Sequence, residues 1–276
     1  MKEIDTQSHV CVFEISDPGD PRLTLYRDIR EKDLVGRQQR FIAEGKVVIN
    51  VLFSSSTRFE TESLLVLENR FKGLQEQLKQ RPVGVDVYCV PQSVMDEVAG
   101  FHVHRGILAV GRRRPQSSLQ DMITALPEQA LIVVLCGISN HDNIGSIFRN
   151  AAAFEADCVL MDTTCCDPLY RKAIRVSVGA TLKVPYFHGG TIDEIISSLQ
   201  ETGFNVLALS PTSETSVYKA TSHSRQALLL GTEGEGLPPR LLDKLQTARI
   251  PMSQDFDSLN VATASGIALS RFSRFF

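Results

Sequence analysis

The sequence predicts an α/β protein with two domains, and three observations lead to that class. A chain of 276 residues favours two domains or one large one. Short apolar runs alternate with helix-like segments along most of the chain, which is the pattern of α/β folds. Residues 112–118 combine charge, proline and serine between two periodic regions, which is typical of a linker. We therefore expect domains at residues 1–115 and 116–276.

The first domain is predicted to be an α/β sandwich. Its apolar and polar periodicity predicts, in order, a helix over 41–55, a strand over 63–69, a helix over 70–80, a strand over 85–90, a helix over 91–100 and a strand over 106–113. The helix over 91–100 is bounded by Pro91 and Gly100, which are typical of a helix start and a helix end.

The second domain is predicted to contain a parallel sheet. Strands are expected at 131–138, 157–162, 205–210, 227–231 and 248–252, and helices at 144–156, 168–180, 191–203, 238–246 and from about Ser258. Nearly continuous apolar strands are typical of a parallel sheet that is covered on both faces. Ligands of such sheets bind at the carboxyl ends of the strands, so those ends are the places to search for a site.

Composition bounds the possible functions. The hydrophobic and charged fractions, 43% and 22%, are ordinary for a globular protein. No stretch approaches the roughly 18 apolar residues needed to span a bilayer, and the first 20 residues lack an apolar signal core. The sequence therefore predicts a cytoplasmic protein without a membrane segment. The six cysteines form no CxxC pair and no zinc pattern, so we expect reduced thiols and no metal.

Charge is divided unevenly between the two domains. The formal net charge is −3; residues 1–115 hold 17 Lys and Arg against 16 Asp and Glu, and residues 116–276 hold 12 against 16. A basic surface is therefore expected on the first domain, although such a count is equally typical of an ordinary solvated surface.

The first strand end to draw attention is the segment 139–156. Ile144, Ile147, Phe148 and Ala151 share one helix face and should pack on the sheet. Arg149 lies among small residues and looks buried, which would let another segment or chain approach closely; the small residues three and four positions away are Gly145, Ser146, Ala152 and Ala153. Asn143 stands where a helix N-cap is expected. An ordinary capped helix with a surface arginine is the alternative.

The second strand end is the segment 228–242, in which a buried strand meets a turn containing Gly231, Gly234 and Gly236. Glycines let backbone amides approach a ligand. The segment matches neither the dinucleotide fingerprint nor the P-loop, and Glu233 would repel a phosphate. A glycine turn before a proline-started helix is the alternative.

The third strand end is the segment 249–272. A polar loop follows Met252, and Ser258, Leu259 and Asn260 open a helix rich in small residues. Ser258 could be an ordinary N-cap, whereas Asn260 just inside a helix is not explained by propensity. Small residues along a helix permit close helix packing, which indicates either a dimer face or a compact core.

The three segments together resemble a known family. Asn143-x-Gly145-x3-Arg149, Gly231-x-Glu233-x2-Gly236, and Ile250-Pro251-Met252 with Ser258-Leu259-Asn260-Val261 are similar, in the same order, to the three motifs of the SpoU/TrmH family. These proteins are RNA 2′-O-ribose methyltransferases of the SPOUT superfamily. The resemblance covers roughly residues 131–272. Residues 41–45 and 104–110 resemble, more weakly, the ribosomal-protein-like RNA-binding domain that precedes the catalytic domain in many members.

The resemblance implies a SPOUT domain with a deep trefoil knot between Gly231 and about Asn260, and a homodimer. It implies that S-adenosylmethionine is bound by Gly231, Ile250, Met252 and Leu259. Arg149 matches the catalytic arginine, contributed toward the partner subunit's site, and the remaining polar motif positions are Asn143, Glu233, Ser258 and Asn260.

The resemblance also implies an RNA substrate, with ribosomal RNA favoured over transfer RNA because members with two domains act on ribosomal RNA. Arg149 would bind a phosphate beside the target ribose or act as an unusual base. Two departures are noted: many members have glycine at Gln254 and serine at Ala262. A knotted RNA-binding protein without transfer activity, and an enzyme acting on a small acceptor, stay open as alternatives.

Overall fold

The computed structural model describes residues 12–27, 31–100, 102–232, 234–253, 255 and 258–275, without the side chains of residues 31–33. The chain forms two compact units. One contains residues 1–115 with 169–183, and the other contains residues 116–168 with 184–276. Each unit has its own β-sheet.

The sheet of the N-terminal unit has five strands in the order β1-β4-β3-β5-β2. The strands are β1 (Val12–Glu14), β2 (Arg40–Glu44), β3 (Phe59–Leu67), β4 (Asp86–Val90) and β5 (Ile107–Arg113). β1, β3 and β4 are parallel, whereas β5 runs antiparallel to both β2 and β3. Since Leu64–Leu67 and Val87–Val90 are buried without alternation, the central strands are covered on both faces.

The sheet of the C-terminal unit has six strands in the order β11-β9-β10-β6-β7-β8. The strands are β6 (Ala130–Leu135), β7 (Cys158–Met161), β8 (Tyr186–His188), β9 (Asn205–Leu209), β10 (Arg225–Leu230) and β11 (Gln246–Ala248). All neighbours are parallel, which confirms the predicted parallel sheet. Leu135 pairs with both Leu230 and Met161, so the strands end together at one edge.

Helices cover these sheets. In chain order they are α1 (Glu31–Gly36), α2 (Lys46–Phe53), α3 (Glu68–Phe71), α4 (Gln75–Lys79), α5 (Gln92–Ala99), α6 (Leu119–Thr124), α7 (His141–Ala153), α8 (Arg171–Val176), α9 (Ala180–Lys183), α10 (Ile192–Glu201), α11 (Pro239–Leu242) and α12 (Val261–Phe272), with short 3-10 helices at Pro21–Tyr26 and Lys72–Leu74. None of the helices in the described ranges is long and apolar enough to cross a membrane.

The helix predicted over residues 41–55 is wrong in its first third. Residues Arg40–Glu44 form β2, and α2 begins only at Lys46. Gly45 separates the two with a φ of 89°, a backbone conformation that is strained for any residue with a side chain. The apolar spacing of a short strand followed directly by a helix mimicked one long helix.

The helix predicted over residues 168–180 is broken into α8 and α9. Val178 and Gly179 both have positive φ, 55° and 85°, so the helical path cannot continue through them. This segment belongs to the N-terminal unit, where α8 contacts β2 and Gly179 lies against Val51 of α2.

The last predicted strand is also displaced. Residues 248–252 were expected to form it, but β11 ends at Ala248 and α11 ends at Leu242. After β11, Arg249 forms only an isolated β-bridge with Ser216. Pro251 has no amide hydrogen to donate to a neighbouring strand. The segment from Ile250 onward therefore leaves the sheet. β1, β8 and α6 were not predicted at all.

Candidate functional site

A cavity of about 870 Å³ opens at the carboxyl edge of the C-terminal sheet. Four segments line it: residues 209–212 after β9, residues 230–232 with Gly234 and Gly236 after β10, residues 248–253 after β11, and residues 258–261 with Ala264 at the start of α12. Three of these segments belong to the strand ends that the sequence singled out at residues 228–242 and 249–272, whereas no residue of the segment 139–156 lines the cavity. The fourth, residues 209–212, was missed.

Gly231 lies in the cavity wall where two parts of the backbone approach each other closely. A Cβ at this position would lie 2.6 Å from both the carbonyl carbon of Gly236 and the amide nitrogen of Leu237. Thr232 forms a bridge with Gly236 and its Oγ1 donates to the Gly236 carbonyl at 3.3 Å. The turn therefore folds back on itself, and only glycine fits at Gly231. Glu233 lies outside the described residues.

Ile250 and Met252 reach the cavity because the backbone before them is held in place. The Arg249 amide donates to the Thr215 carbonyl at 2.8 Å, and the Val217 amide donates to the Arg249 carbonyl at 2.8 Å. The chain is thus fixed against the loop that follows β9 just before it turns into the cavity. Ile250 and Met252 are half-buried there.

Asn260 joins two parts of the site. Its side chain caps α12, since Oδ1 accepts from the amides of Ala262 and Thr263 at 2.9 and 3.2 Å. Its Nδ2 donates to Asn143 Oδ1 at 3.0 Å, and Asn143 is buried. The structure therefore brings Asn143 against the cavity wall formed by Ser258, Leu259 and Asn260.

Both helix starts differ from the predictions. The N-cap of α7 is Asn140, whose Oδ1 accepts from the Asp142 amide at 2.8 Å, so Asn143 lies inside the helix. The terminal helix begins at Val261, and its cap is Asn260 rather than Ser258. Asn260 before the first turn follows ordinary capping chemistry, which removes the apparent conflict with helix propensity.

The small residues of α12 serve the packing of α12 on α7. Asn150 Nδ2 donates to the Ala262 carbonyl at 2.7 Å and to Ser265 Oγ at 2.9 Å. A Cβ on Gly266 would lie 3.2 Å from the same Asn150 nitrogen. A compact core thus accounts for part of the small-residue pattern.

Arg149 is exposed, although its small neighbours indicated a buried side chain. It is absent from the cavity lining, and no described residue forms a hydrogen bond or an ion pair with its side chain. Its neighbour Asn150 lines a separate groove of about 770 Å³ between α7 and α12, which also includes Phe154, Tyr218 and Arg271. The expectation of a buried arginine is wrong, because Arg149 lies on the face of α7 opposite to the buried Ile144, Ile147 and Phe148.

Asp162 is a further residue that sequence reasoning missed. This buried carboxylate follows β7, and its Oδ1 accepts from the Gly137, Thr164 and Cys165 amides at 3.3, 3.0 and 3.1 Å. A Cβ on Gly137 would lie 2.9 Å from the Thr232 methyl group. Asp162 therefore fixes the loops that support the cavity wall. An isolated aspartate directly after a buried strand was the available signal.

The thiols near this edge are not nucleophiles. Burial raises the pKa of Cys136 and of Cys166 to about 12, and burial together with Asp162 raises the pKa of Cys165 well above its usual range. They stay protonated at neutral pH. Within the described ranges, no group of three His, Cys, Asp or Glu side chains could hold a metal ion.

Comparison with known proteins gives one family. The SpoU rRNA Methylase family matches residues 130–270. An uncharacterized tRNA/rRNA methyltransferase of Mycobacterium tuberculosis is 40% identical over 266 residues, covering 93% of this chain and 90% of its own. The 23S rRNA (guanosine-2'-O-)-methyltransferase RlmB of Escherichia coli K12 is 28% identical over 190 residues, covering 67% and 78%.

Two solved structures share the fold. An AdoMet-bound rRNA methyltransferase from Sinorhizobium meliloti superimposes with a TM-score of 0.80 at 24% identity, covering 96% of this chain and 98% of its own. The SpoU methyltransferase AviRb from Streptomyces viridochromogenes, in complex with AdoMet, gives 0.78 at 21% identity, covering 93% and 98%.

Proposed function

We propose that this chain, which belongs to the SpoU rRNA methylase family, transfers a methyl group from S-adenosylmethionine to a ribose 2′-hydroxyl of ribosomal RNA. The observation that carries the proposal is the single cavity at the carboxyl edge of the sheet, where the glycine turn, the Ile250–Met252 segment and the Ser258–Asn260 segment meet. RlmB is named for 23S rRNA, which favours ribosomal RNA. Transfer RNA is the second candidate, because the mycobacterial relative is named for both RNAs.

The residues of the cavity fit the proposed cofactor. Gly231 lets the turn fold back closely on Gly236 and Leu237, so backbone rather than a side chain faces the cofactor at this wall of the cavity. Ile250, Met252 and Leu259 supply apolar contacts beside it, and exposed backbone groups supply the polar ones. When bound, S-adenosylmethionine supplies a methyl group made electrophilic by its sulfonium.

The polar residues of the site would orient the reacting ribose. Asn260 and Asn143 hold each other, and Ser258 lies on the same wall, so neutral hydrogen bonds are available at a fixed position. Glu233 is the remaining motif residue proposed for the site. Correct alignment of a hydroxyl with the methyl donor can contribute several kcal/mol, up to about 7–11 kcal/mol in well-oriented reactions.

Arg149 would bind an RNA phosphate beside the target ribose. A guanidinium stays protonated in proteins, so phosphate binding is physically easier than service as a base. Because Arg149 is exposed and does not line the cavity of its own subunit, it is available to a second copy. We propose a homodimer in which Arg149 completes the partner's site, with the groove between α7 and α12 as part of the contact.

Three further proposals follow from family membership. The chain between Gly231 and Asn260 forms the trefoil knot, which the binding of Arg249 to the loop at Thr215 and Val217 supports. Residues 1–115 bind the RNA substrate, and residues 116–276 carry the methyltransferase site. A ribosomal RNA substrate would place the protein in the cytoplasm.

The test is methyl transfer from labelled S-adenosylmethionine to total RNA, followed by nucleoside analysis and sizing of the labelled RNA. Wild type should give a 2′-O-methylnucleoside in ribosomal RNA, and Arg149→Ala should not. Arg240→Ala is the matched control, because Arg240 is also exposed but pairs with Asp193 away from the cavity. Cofactor binding without label in any RNA would contradict the proposal and favour an RNA-binding protein without transfer activity.

A further inference from the structure

Three cations meet at one edge of the N-terminal sheet. Strands β2, β3 and β4 end at this edge and β5 begins there. The segments attached to these strand ends carry Lys46, Arg70 and Arg105, all exposed. We call these three residues the basic edge.

Two glycines hold the arginines of the basic edge against the backbone. Gly45 has a φ of 89°, and a Cβ there would lie 2.6 Å from Arg105 Cδ. Gly106 has a φ of 70°, and a Cβ there would lie 2.5 Å from Arg70 Cγ. The aliphatic stem of Arg70 therefore lies on Gly106, and the stem and guanidinium of Arg105 lie over Gly45, the residue before Lys46. The three cations thus occupy adjoining segments and are exposed.

The opposite edge of the same sheet shows the reverse arrangement. Arg40 pairs with Glu62 at 2.6 Å, Arg112 pairs with Glu60 at 2.5 Å, and Arg114 lies 3.6 Å from Glu60. Each of these three arginines thus lies beside an acidic side chain of β3.

The basic edge has no such partners. No described residue forms an ion pair or a hydrogen bond with the side chain of Lys46, Arg70 or Arg105. Two carboxylates stand beside it in the chain, the buried Glu44 and the exposed Glu68, and neither lies within ion-pair distance of these cations. Both edges carry arginines, so the number of arginines does not explain why only one edge forms ion pairs. The difference is that Glu60 and Glu62 of β3 lie at the opposite edge.

We propose that the basic edge binds the phosphate backbone of the RNA substrate, an inference that rests on the proposed methyltransferase function. Arginine forks match phosphate oxygens in two-pronged hydrogen bonds, and a preset, unpaired fork binds without first breaking an ion pair. Contacts to phosphates fix the register of a protein on its nucleic acid and carry no sequence information. The basic edge would therefore position the RNA, while selection of the nucleotide would depend on other contacts.

The experiment measures binding of the full chain to purified ribosomal RNA between 50 and 200 mM KCl, without cofactor. Arg70→Gln/Arg105→Gln removes two charges from the basic edge, and Arg112→Gln/Arg114→Gln removes two from the opposite edge as the matched control. By counterion release, each phosphate contact is worth about tenfold in affinity near 0.1 M salt and about one unit of salt slope. We expect the first variant to bind roughly 100-fold more weakly with a slope lower by about two, and the control to bind within about threefold of wild type.

Several results would overturn the inference: wild type that does not bind the RNA, a basic-edge variant with unchanged affinity and slope, or a control that loses as much as that variant. Failure of the proposed function is recognised separately in the methyl-transfer assay. Wild type that binds ribosomal RNA but transfers no methyl group would refute the enzyme activity. The RNA-binding role of the basic edge would then be tested by the binding measurements alone. If wild type transfers the methyl group and the basic-edge variant still binds ribosomal RNA as tightly as wild type, the RNA-binding role of the basic edge is refuted and the enzyme activity is not.

Discussion

Asn260 Nδ2 donates to Asn143 Oδ1 at 3.0 Å, although 117 residues separate the two. The bond links the first turn of α7 to the residue that caps α12, and it does so at the wall of the cavity. The Asn260 side chain therefore has two roles: it caps α12, and it holds Asn143 at the wall of the proposed site. Its two roles can be separated by mutation.

Asn260→Ala should lower the free energy of unfolding by about 2 kcal/mol, since it removes a helix cap worth about 1 kcal/mol and leaves the buried Asn143 amide without this partner. Asn260→Ser keeps an N-cap oxygen but cannot reach Asn143, so it should lose only about half as much stability. Urea unfolding of both variants, with Asn143→Ala to complete a double-mutant cycle, measures the two contributions. Equal stability of the Ser and Ala variants would show that the cap is unimportant.

Gly231→Ala should weaken cofactor binding by at least about tenfold, because its Cβ would need to displace backbone atoms of Gly236 and Leu237 that are only 2.6 Å away. Gly73→Ala is the control, since a Cβ at Gly73 meets nothing within 4 Å. Calorimetric titration with S-adenosylmethionine gives the affinities, and thermal unfolding shows whether the fold survives. Unchanged affinity in Gly231→Ala would remove this glycine from the proposed site.

Much of the architecture could be predicted because it depends on local pattern. Apolar runs such as residues 131–138 identify the buried parallel strands, and the strand ends identify the edge where the cavity lies. Residues 209–212 were missed because nothing in their local composition distinguishes a cavity wall from an ordinary loop. The displacement of β11 depends on the bridge from Arg249 to Ser216, which only the tertiary fold creates.

The errors at the site have a common physical origin. Small neighbours around Arg149 indicated burial, but Arg149 is exposed, and the residue of this part of α7 that contacts α12 is Asn150, one position further along the helix. Likewise the cap of α7 was placed at Asn143 because asparagine is a good cap, whereas Asn140 caps the helix and Asn143 pairs with Asn260. Sequence patterns indicate which residue types serve a site, and long-range packing decides which way each one faces.

Stability should fall in mildly alkaline solution. Burial raises the pKa of Cys89 to about 11 and of Cys136 to about 12, and the pKa of Cys165 is raised as well. Below about pH 8.5 these thiols are protonated in both the folded and unfolded states, so their contribution to stability is fully present. Above that pH the unfolded thiols ionise and the folded ones do not, so the unfolded state binds fewer protons and stability is lost, by up to about 1.4 kcal/mol per pH unit for each thiol.

Urea unfolding at pH 8.0, 9.0 and 10.0 under reducing conditions measures this loss. Cys136→Ala should make the free energy of unfolding fall less steeply with pH, by the contribution of one thiol. This holds whatever the substitution does to stability at pH 8.0. Lys79→Gln, at an exposed side chain, is the control and should leave the dependence unchanged. A pH dependence that is the same in wild type and Cys136→Ala would contradict the prediction.

Arg149 offers the sharpest test of the proposed dimer. Mix Arg149→Ala subunits, whose cavity is intact, with Gly231→Ala subunits, whose arginine is intact, after reversible dissociation. If Arg149 serves the site of the other subunit, each mixed dimer has one complete site, because the intact cavity of the first meets the intact arginine of the second. Random pairing of equal amounts then restores about a quarter of the wild-type methyl-transfer rate. If Arg149 serves its own subunit, no dimer contains a complete site, and the mixture stays as inactive as its two components.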